Sequence, residues 1–403
     1  MNPAALISKQ KNMIGILNHI IINEKVSRPA LAAEFKVSTA TITNIINELM
    51  AVGLVYEGGI ENSDIGRKAK LIRFNARYRY VLIGAIVNEQ KLHLYVCDLL
   101  GNIIDFTQEH IPMVLSEEND EEQITSRILE ATTAFQSRQP QEIKDKLAAA
   151  AFSIPGLVNY SANIYAPLLN WRSFALKNVL AGITGLPVYL ENVTRVQAVY
   201  EMRFIDEIEK NVIYLSLSPG TGMVNFFDGK MIMGSNGISG EVGHMSLDID
   251  GEPCYCGNRG CFELFCGELS LIHKGEEILR EGCPVLQELV EKQGRLLNIG
   301  TLIDAKNKNS AKVSRLLKKA GKHLGCGLTS LINCFDPDRI ILSGTLIEQD
   351  KDVLQYALEE MKMHIVNKFS RNPVISLGKL HEDEMHKALC AFVLEKLLPE
   401  FIQ

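Results

Sequence analysis

The N-terminal segment carries its apolar side chains at helical spacing. Ile14, Leu17, Ile20 and Ile21 recur along one face, which predicts an amphipathic helix ending near Asn23-Glu24-Lys25. Ser27 is placed to cap a short second helix, Arg28 to Phe35, with Pro29 in the first turn, where a missing N–H has no partner to lose. Lys36 and Val37 make a tight turn, and Ser38 caps a third helix running to about Val52. In that helix Ile42, Ile45, Ile46 and Leu49 hold the i, i+3, i+4, i+7 positions of one buried face, and Gly53 ends it. Helix, tight turn and capped helix is the helix-turn-helix arrangement. A strand over Leu54 to Glu57, a loop with Gly and Asn, and a strand over Ala69 to Phe74 add a β-hairpin wing, with Arg67, Lys68 and Lys70 on or near its tip.

From Tyr80 the pattern changes to strands. Val81 to Val87 and Lys91 to Cys97 predict adjacent strands, followed by a turn at Asp98-Leu99-Leu100-Gly101-Asn102. A helix over Glu121 to Ser137 leads to the apolar strand Leu147 to Ile154. Then come a helix over Leu176 to Leu180, a strand over Pro187 to Leu190 and a helix from Thr194. Val212 to Leu217 opens a second run of sheet and loops that lasts through Gly243. Beyond it the chain reads as mostly helical, broken by a strand over Arg339 to Leu342. Two successive runs of this kind predict an α/β body of two lobes with a cleft between them, and 403 residues exceed one ordinary hydrophobic core.

Composition is that of a soluble protein, 46% hydrophobic and 22% charged, so the placement of charge carries more information than its amount. The net charge of −6 hides an asymmetry: residues 1–80 hold 11 Lys and Arg against 6 Asp and Glu, and the remainder 31 against 42. A basic N-terminal segment on an acidic body suits a nucleic-acid-binding module fused to something else. The third helix turns Ala40, Thr43, Asn44 and Asn47 away from its buried face. These short side chains, with Ser38 and Thr39 at the helix start, are expected to meet base edges in the major groove of double-stranded DNA. No apolar run reaches the roughly 18 to 20 residues of a membrane span. The opening Met1-Asn2-Pro3-Ala4-Ala5 runs into the polar stretch Ser8 to Asn12, unlike a secretion signal, so a cytoplasmic location is expected.

Four of the nine cysteines, Cys254, Cys256, Cys261 and Cys266, fall close together, while Cys97, Cys283, Cys326, Cys334 and Cys390 are isolated. An odd total without a secretion signal argues against a disulfide framework. Nine residues separate Gly243-His244 from Cys254-Tyr255-Cys256-Gly257-Asn258-Arg259-Gly260-Cys261-Phe262-Glu263. His244, Cys254, Cys256 and Cys261 can close a tetrahedral zinc site with no open water position, which makes the ion structural, one per chain. Gly257 and Gly260 allow the sharp backbone turns that bring Cys256 and Cys261 together. Cys266 reads as a buried thiol on the following helix.

This zinc segment resembles that of the ROK family of repressors and sugar kinases, and the resemblance extends over nearly the whole chain. The family's Glu-x-Gly-His stands as Glu241-Val242-Gly243-His244 and its Cys-x-Glu as Cys261-Phe262-Glu263. Ile154-Pro155-Gly156-Leu157-Val158 and the segment Asn333-Cys334-Phe335-Asp336-Pro337 to Gly344 are also similar to family segments. The resemblance implies an actin-like (ribonuclease H-like) two-lobed α/β sugar-kinase fold preceded by an α+β winged helix-turn-helix domain. It divides the chain into residues 1–79, a first lobe over 80–195 to which a last helix near 383–403 returns, and a second lobe over 196–382. It further implies that Glu241, His244 and Glu263 hydrogen-bond a monosaccharide, with Asn192 contributing. Gly66-Arg67-Lys68 resembles the Gly-Arg-Pro wing of the family's regulators, which reaches phosphate or a minor groove.

Departures from the kinases bear on function. Where they carry Glu-Asn-Asp, whose aspartate is the general base, this chain has Glu191-Asn192-Val193. Gly84-Ala85-Ile86-Val87-Asn88-Glu89 occupies the place of the phosphate-cradling Asp-x-Gly-Gly-Thr. Ser218-Pro219 precedes Gly220-Thr221-Gly222 where the kinases have Gly-Thr, and Ala166-Pro167-Leu168-Leu169 lacks the asparagine that helps hold the sugar. The expectation is therefore a regulator without catalytic residues: a sugar-responsive repressor of carbohydrate genes, akin to regulators that answer to glucose, N-acetylglucosamine or xylose. Paired half-sites on DNA require at least a homodimer, and homotetramers occur in the family. Two other readings remain open, a sugar kinase with an accessory domain, and a regulator controlled by a sugar-transport phosphotransferase protein.

Overall fold

The computed structural model describes residues 3–60, 69–87, 91–110, 121–161, 164–166, 171–205, 208–292, 294–367, 369 and 371–402. Contacts divide the chain into two compact units, Met1–Arg203 with Leu380–Gln403, and Phe204–Lys379.

The first unit begins with helices Pro3–Asn23, Arg28–Glu34 and Thr39–Ala51. A three-stranded antiparallel sheet completes this module: Val26–Ser27 pairs with Lys70–Phe74, which pairs in turn with Val55–Ile60. Ser38 caps the third helix as expected, its Oγ accepting from the Thr41 N–H at 3.1 Å. Ser27 does not cap the second; its side chain makes no capping bond. It is instead a buried strand residue in register with Leu71, and Pro29 at the helix start removes one of the donors a cap would have served. Leu17, Ile20, Leu31, Ile42, Ile46, Leu49 and Ile72 are fully buried together. Gly53, at φ +82°, turns the chain out of the third helix.

The rest of this unit is built on a five-stranded sheet in the order Val188–Asn192, Leu147–Ile154, Tyr80–Val87, Lys91–Asp98, Ile103–His110. The first three run parallel, and the last two extend an antiparallel meander. Buried Asp98 fixes the first meander turn by accepting from the Leu100 and Asn102 N–H groups, both at 3.0 Å. The strand Ile103–His110 is absent from the pattern reading because its outward side chains do not alternate; Ile103, Ile104 and Phe106 are all exposed on this sheet edge. Helix Met385–Phe401 lies in the same unit and is apolar almost all round, with Leu389, Val393 and Leu397 buried. One continuous core joins it to the sheet residues Val81, Ile83 and Ala151 and to the helices of the N-terminal module. Tyr78 meets Phe401 edge to face at 5.3 Å, and Glu201 accepts from the Leu380 N–H at 2.7 Å where the chain re-enters the unit.

The second unit repeats the plan. Its sheet runs Lys230–Met231, Thr221–Phe227, Val212–Leu217, Arg339–Ser343, Val374–Leu377. Again a three-strand antiparallel meander continues into two parallel strands. Two copies of one sheet topology define the duplicated actin-like α/β body. Helix Ala311–Phe335 covers this sheet with Leu324, Leu328, Leu331 and Ile332, packed against helix Lys351–His364. The short edge strand Val374–Leu377, exposed at both ends, is another strand that periodicity does not reveal. Among the described residues no helix is long and apolar enough to cross a membrane.

Candidate metal centre and third helix

After strand Thr221–Phe227 the chain doubles back through Gly240, Glu241 and the single turn Val242–His244. This path requires glycine. A Cβ on Gly240, at φ +104°, would lie 2.0 Å from the Met223 carbonyl oxygen, and one on Gly243 would lie 2.3 Å from that of Thr221. Close passage along the strand thus sets where Glu241 and His244 stand.

The cysteine segment folds as a tight knuckle. The Cys254 N–H donates to the Asn258 carbonyl at 2.8 Å and the Gly257 N–H to the Cys254 carbonyl at 3.0 Å. Gly257 and Gly260 both take positive φ, as the sequence predicts. Cys256 Sγ then lies 3.7 Å from Cys261 Sγ, and His244 Nδ1 3.7 Å from Cys254 Sγ. The ligand atoms of His244, Cys254, Cys256 and Cys261 all fall within 4.8 Å of one another, a group that can hold a metal ion. The spacing fits a tetrahedral ion: metal–sulfur bonds of about 2.3 Å and metal–nitrogen bonds of about 2.0 to 2.1 Å imply ligand–ligand edges of roughly 3.6 to 3.8 Å. Cys266 stays outside the group, buried on helix Glu263–Cys266 with its thiol donating to the Phe262 carbonyl at 3.5 Å.

The surroundings of the cluster are acidic. Buried Glu263 places Oε1 3.6 Å from His244 Nδ1 and accepts from the Cys254 thiol at 3.7 Å. Tyr255, between two of the cysteines, brings its hydroxyl within 3.3 Å of His244 Nε2. Loss of water around that hydroxyl, with the carboxylates of Glu263 and Glu241 nearby, raises the phenol well above its usual range, so it stays protonated. Pattern reading overlooks Tyr255. The available signal was its place between two ligands: the thiols on either side must turn inward, and the residue between them faces out.

Among the other expected sugar residues, Asn192 belongs to the first unit. There it caps helix Val193–Glu201, Oδ1 accepting from the Arg195 N–H at 3.2 Å and Nδ2 donating to the Gly156 carbonyl at 2.6 Å. Val193 packs on the continuous core, and Glu191 pairs with Arg195 at 3.1 Å. Gly84 to Val87 are strand residues, whereas Asn88 and Glu89 lie outside the described residues, as do Pro167, Leu168 and Leu169. Ser218 to Gly220 form the turn between two paired strands, with Leu217 opposite Thr221.

On the third helix Ser38, Thr39, Ala40, Asn44 and Asn47 are exposed. Thr43 is half-buried, and its hydroxyl donates to the Thr39 carbonyl at 2.8 Å, which leaves it lone pairs but no proton for a partner. Ser38 serves the helix start. On the wing, Lys70 pairs with Glu57 at 2.5 Å, and Arg28 joins the same carboxylate at 3.0 Å; both cations hold Glu57 below the usual carboxylate range. Arg67 and Lys68 lie outside the described residues.

The sequence profile of the ROK family matches residues 89–396, and the chain belongs to this family. It is 29% identical over 393 residues to the xylose repressor of Bacillus spizizenii, covering 97% of this chain and 96% of that one. It is 25% identical over 391 residues to the DNA-binding transcriptional dual regulator NagC of Escherichia coli, covering 96% and 93%. Among solved structures, a ROK family transcriptional regulator, a homologue of the E. coli MLC protein, superposes with a TM-score of 0.77 at 22% identity over 98% of each chain.

The thiols give the cluster a pH dependence. Burial, then the neighbouring thiols, raises Cys261 far above its ordinary value, and burial raises Cys254. A bound dication reverses this by taking thiolates, so each ligated cysteine releases a proton. Affinity for Zn²⁺, measured against a competing chelator, is expected to rise by about tenfold or more per pH unit between about pH 6 and 8. A pH-independent affinity would contradict thiolate ligation.

Proposed function

We propose that this chain is a sugar-responsive, DNA-binding transcriptional regulator, a repressor of carbohydrate uptake or catabolism genes that works in the cytoplasm as a homodimer or homotetramer. The observation that carries the reading is the exposed, small and polar face of the capped third helix, in a chain that also gathers Glu241, His244 and Glu263 around a metal-ligand set. Full-length similarity to repressors named for sugars supports it. Residues 1–79 act as the DNA-binding domain, 80–195 with about 383–403 as the first lobe, and 196–382 as the second.

On DNA, the Asn44 amide suits bidentate pairing with adenine, and the Ala40 methyl suits contact with a thymine methyl. Thr43 and Asn47 flank them, Ser38 and Thr39 approach the backbone at the helix start, and Arg67 and Lys68 on the wing meet phosphate or the minor groove. The ion assigned to His244, Cys254, Cys256 and Cys261 is zinc, one per chain. With every coordination place taken its part is structural, fixing the loop that carries the effector ligands. Carboxylates at Glu241 and Glu263 can each accept two bonds from vicinal hydroxyls, and His244 offers its outer nitrogen. Asn192 adds to them only if an amide proton remains beyond its capping bonds.

Phosphotransfer is lost on this reading. A sugar hydroxyl needs a base for its proton before it attacks a phosphoryl group, and Val193 offers none. Backbone amides cradle phosphate only where the loop turns tightly on glycine, and Pro219 and the strand at Gly84 do not supply such a loop. Sugar-dependent ADP release with glucose, N-acetylglucosamine, mannose or xylose is expected to stay at background for the wild type and for Val193→Asp. Clear turnover by the wild type would favour a kinase with an accessory domain.

Regulation requires a sugar to bind the DNA-incompetent state better than the competent one, because equal affinity shifts nothing. A differential of about 1 to 3 kcal/mol suffices for a useful response. The replacement of two family sugar ligands, at Val193 and Leu168, supports a second reading in which a sugar-transport phosphotransferase protein sets DNA affinity instead. Base reading by the third helix is tested directly: Asn44→Ala is expected to lose roughly 1 to 3 kcal/mol on a cognate site and to flatten sequence preference. Unchanged affinity and preference would mean that another surface reads DNA.

A further inference from the structure

Tyr255 sits between two of the four converging ligands. It meets the His244 ring edge to face, with centroids 5.3 Å apart and planes at 85°. Its hydroxyl is 3.3 Å from His244 Nε2. The residue as a whole is open, at 67% exposure. The phenol hydroxyl thus occupies the outer nitrogen of a side chain that the proposed function assigns to a sugar.

The chemistry of His244 makes this contact exclusive. Nδ1 is the nitrogen that faces Cys254 Sγ, at 3.7 Å, so ligation through Nδ1 leaves the ring proton on Nε2. One N–H then points outward. It donates to the Tyr255 hydroxyl or to a hydroxyl of a bound ligand, and not to both at full strength. Release of the phenol costs little, because Tyr255 already faces solvent.

We infer that Tyr255 is a built-in competitor of the effector: its hydroxyl holds the place of a sugar hydroxyl on His244, and effector binding swings the phenol into solvent. The inference rests on the sugar reading of this site. Its consequence is a lowered sugar affinity, because part of the ligand's hydrogen bonding replaces bonds already made within the protein. Such a competitor raises the sugar concentration at which the regulator responds.

The test is calorimetric titration of the metal-loaded full chain with D-xylose, D-glucose and N-acetylglucosamine, on wild type and Tyr255→Phe, with metal content measured on both to confirm an intact knuckle. Removing the hydroxyl that bonds His244 is expected to tighten sugar binding roughly 3- to 10-fold, the size of one net hydrogen bond. Binding detected only in Tyr255→Phe would support the inference equally. Equal or weaker binding by Tyr255→Phe would overturn it and leave the sugar reading standing. No binding of any of the three sugars by either protein at millimolar concentration would overturn both.

Discussion

The convergence of one imidazole and three thiols on a common point is the constraint around which the second unit's site is arranged. Close passage of Gly240 and Gly243 along strand Thr221–Phe227 places Glu241 and His244, and the turns at Gly257 and Gly260 bring the thiols to them. On the proposed function, an ion held by these four ligands would add its binding free energy to that of folding. His244 belongs to both halves of the arrangement: Nδ1 faces the thiols, and Nε2 faces the Tyr255 hydroxyl.

A second constraint acts on the N-terminal module. Its three helices do not close a core of their own; their buried residues continue into the helix Met385–Phe401 and into one face of the neighbouring sheet. The last helix is therefore shared, and an apolar substitution on it, at Leu394 for example, would disturb packing toward both. A module built this way is held by the body of its unit instead of hanging from a linker. On the proposed function, that is the physical precondition for a ligand-dependent change in the body to alter DNA affinity.

Much of this was legible in the residue pattern. The buried stripe Ile42, Ile45, Ile46 and Leu49 predicts the third helix and its exposed opposite face, and Ser38 marks its start. The metal-ligand cluster is legible because ligand chemistry is specific and because Gly257 and Gly260 reveal where the chain must turn. What the pattern hides has identifiable causes. The edge strands Ile103–His110 and Val374–Leu377 lack one-sided burial, so no period of two appears in them. Ser27 has the composition of a cap but the place of a strand residue, a choice made by pairing with Leu71 across the chain. The duplication of the sheet is invisible in sequence because strand order is set by pairing partners far apart in the chain, as when Val212–Leu217 joins Arg339–Ser343. Tyr255 escapes for a different reason: an aromatic between two cysteines has no meaning until the imidazole that meets it is in place.

The central claim is that this chain recognises a DNA sequence and that a sugar changes the recognition. Selection from a random pool of DNA duplexes by the metal-loaded full chain, sequenced with and without xylose, glucose or N-acetylglucosamine, tests both parts together. The account predicts enrichment of a two-fold symmetric sequence that at least one of these sugars abolishes or strongly weakens. Absence of any enriched sequence would contradict the DNA-binding claim, and an enriched sequence indifferent to every sugar would contradict the effector claim.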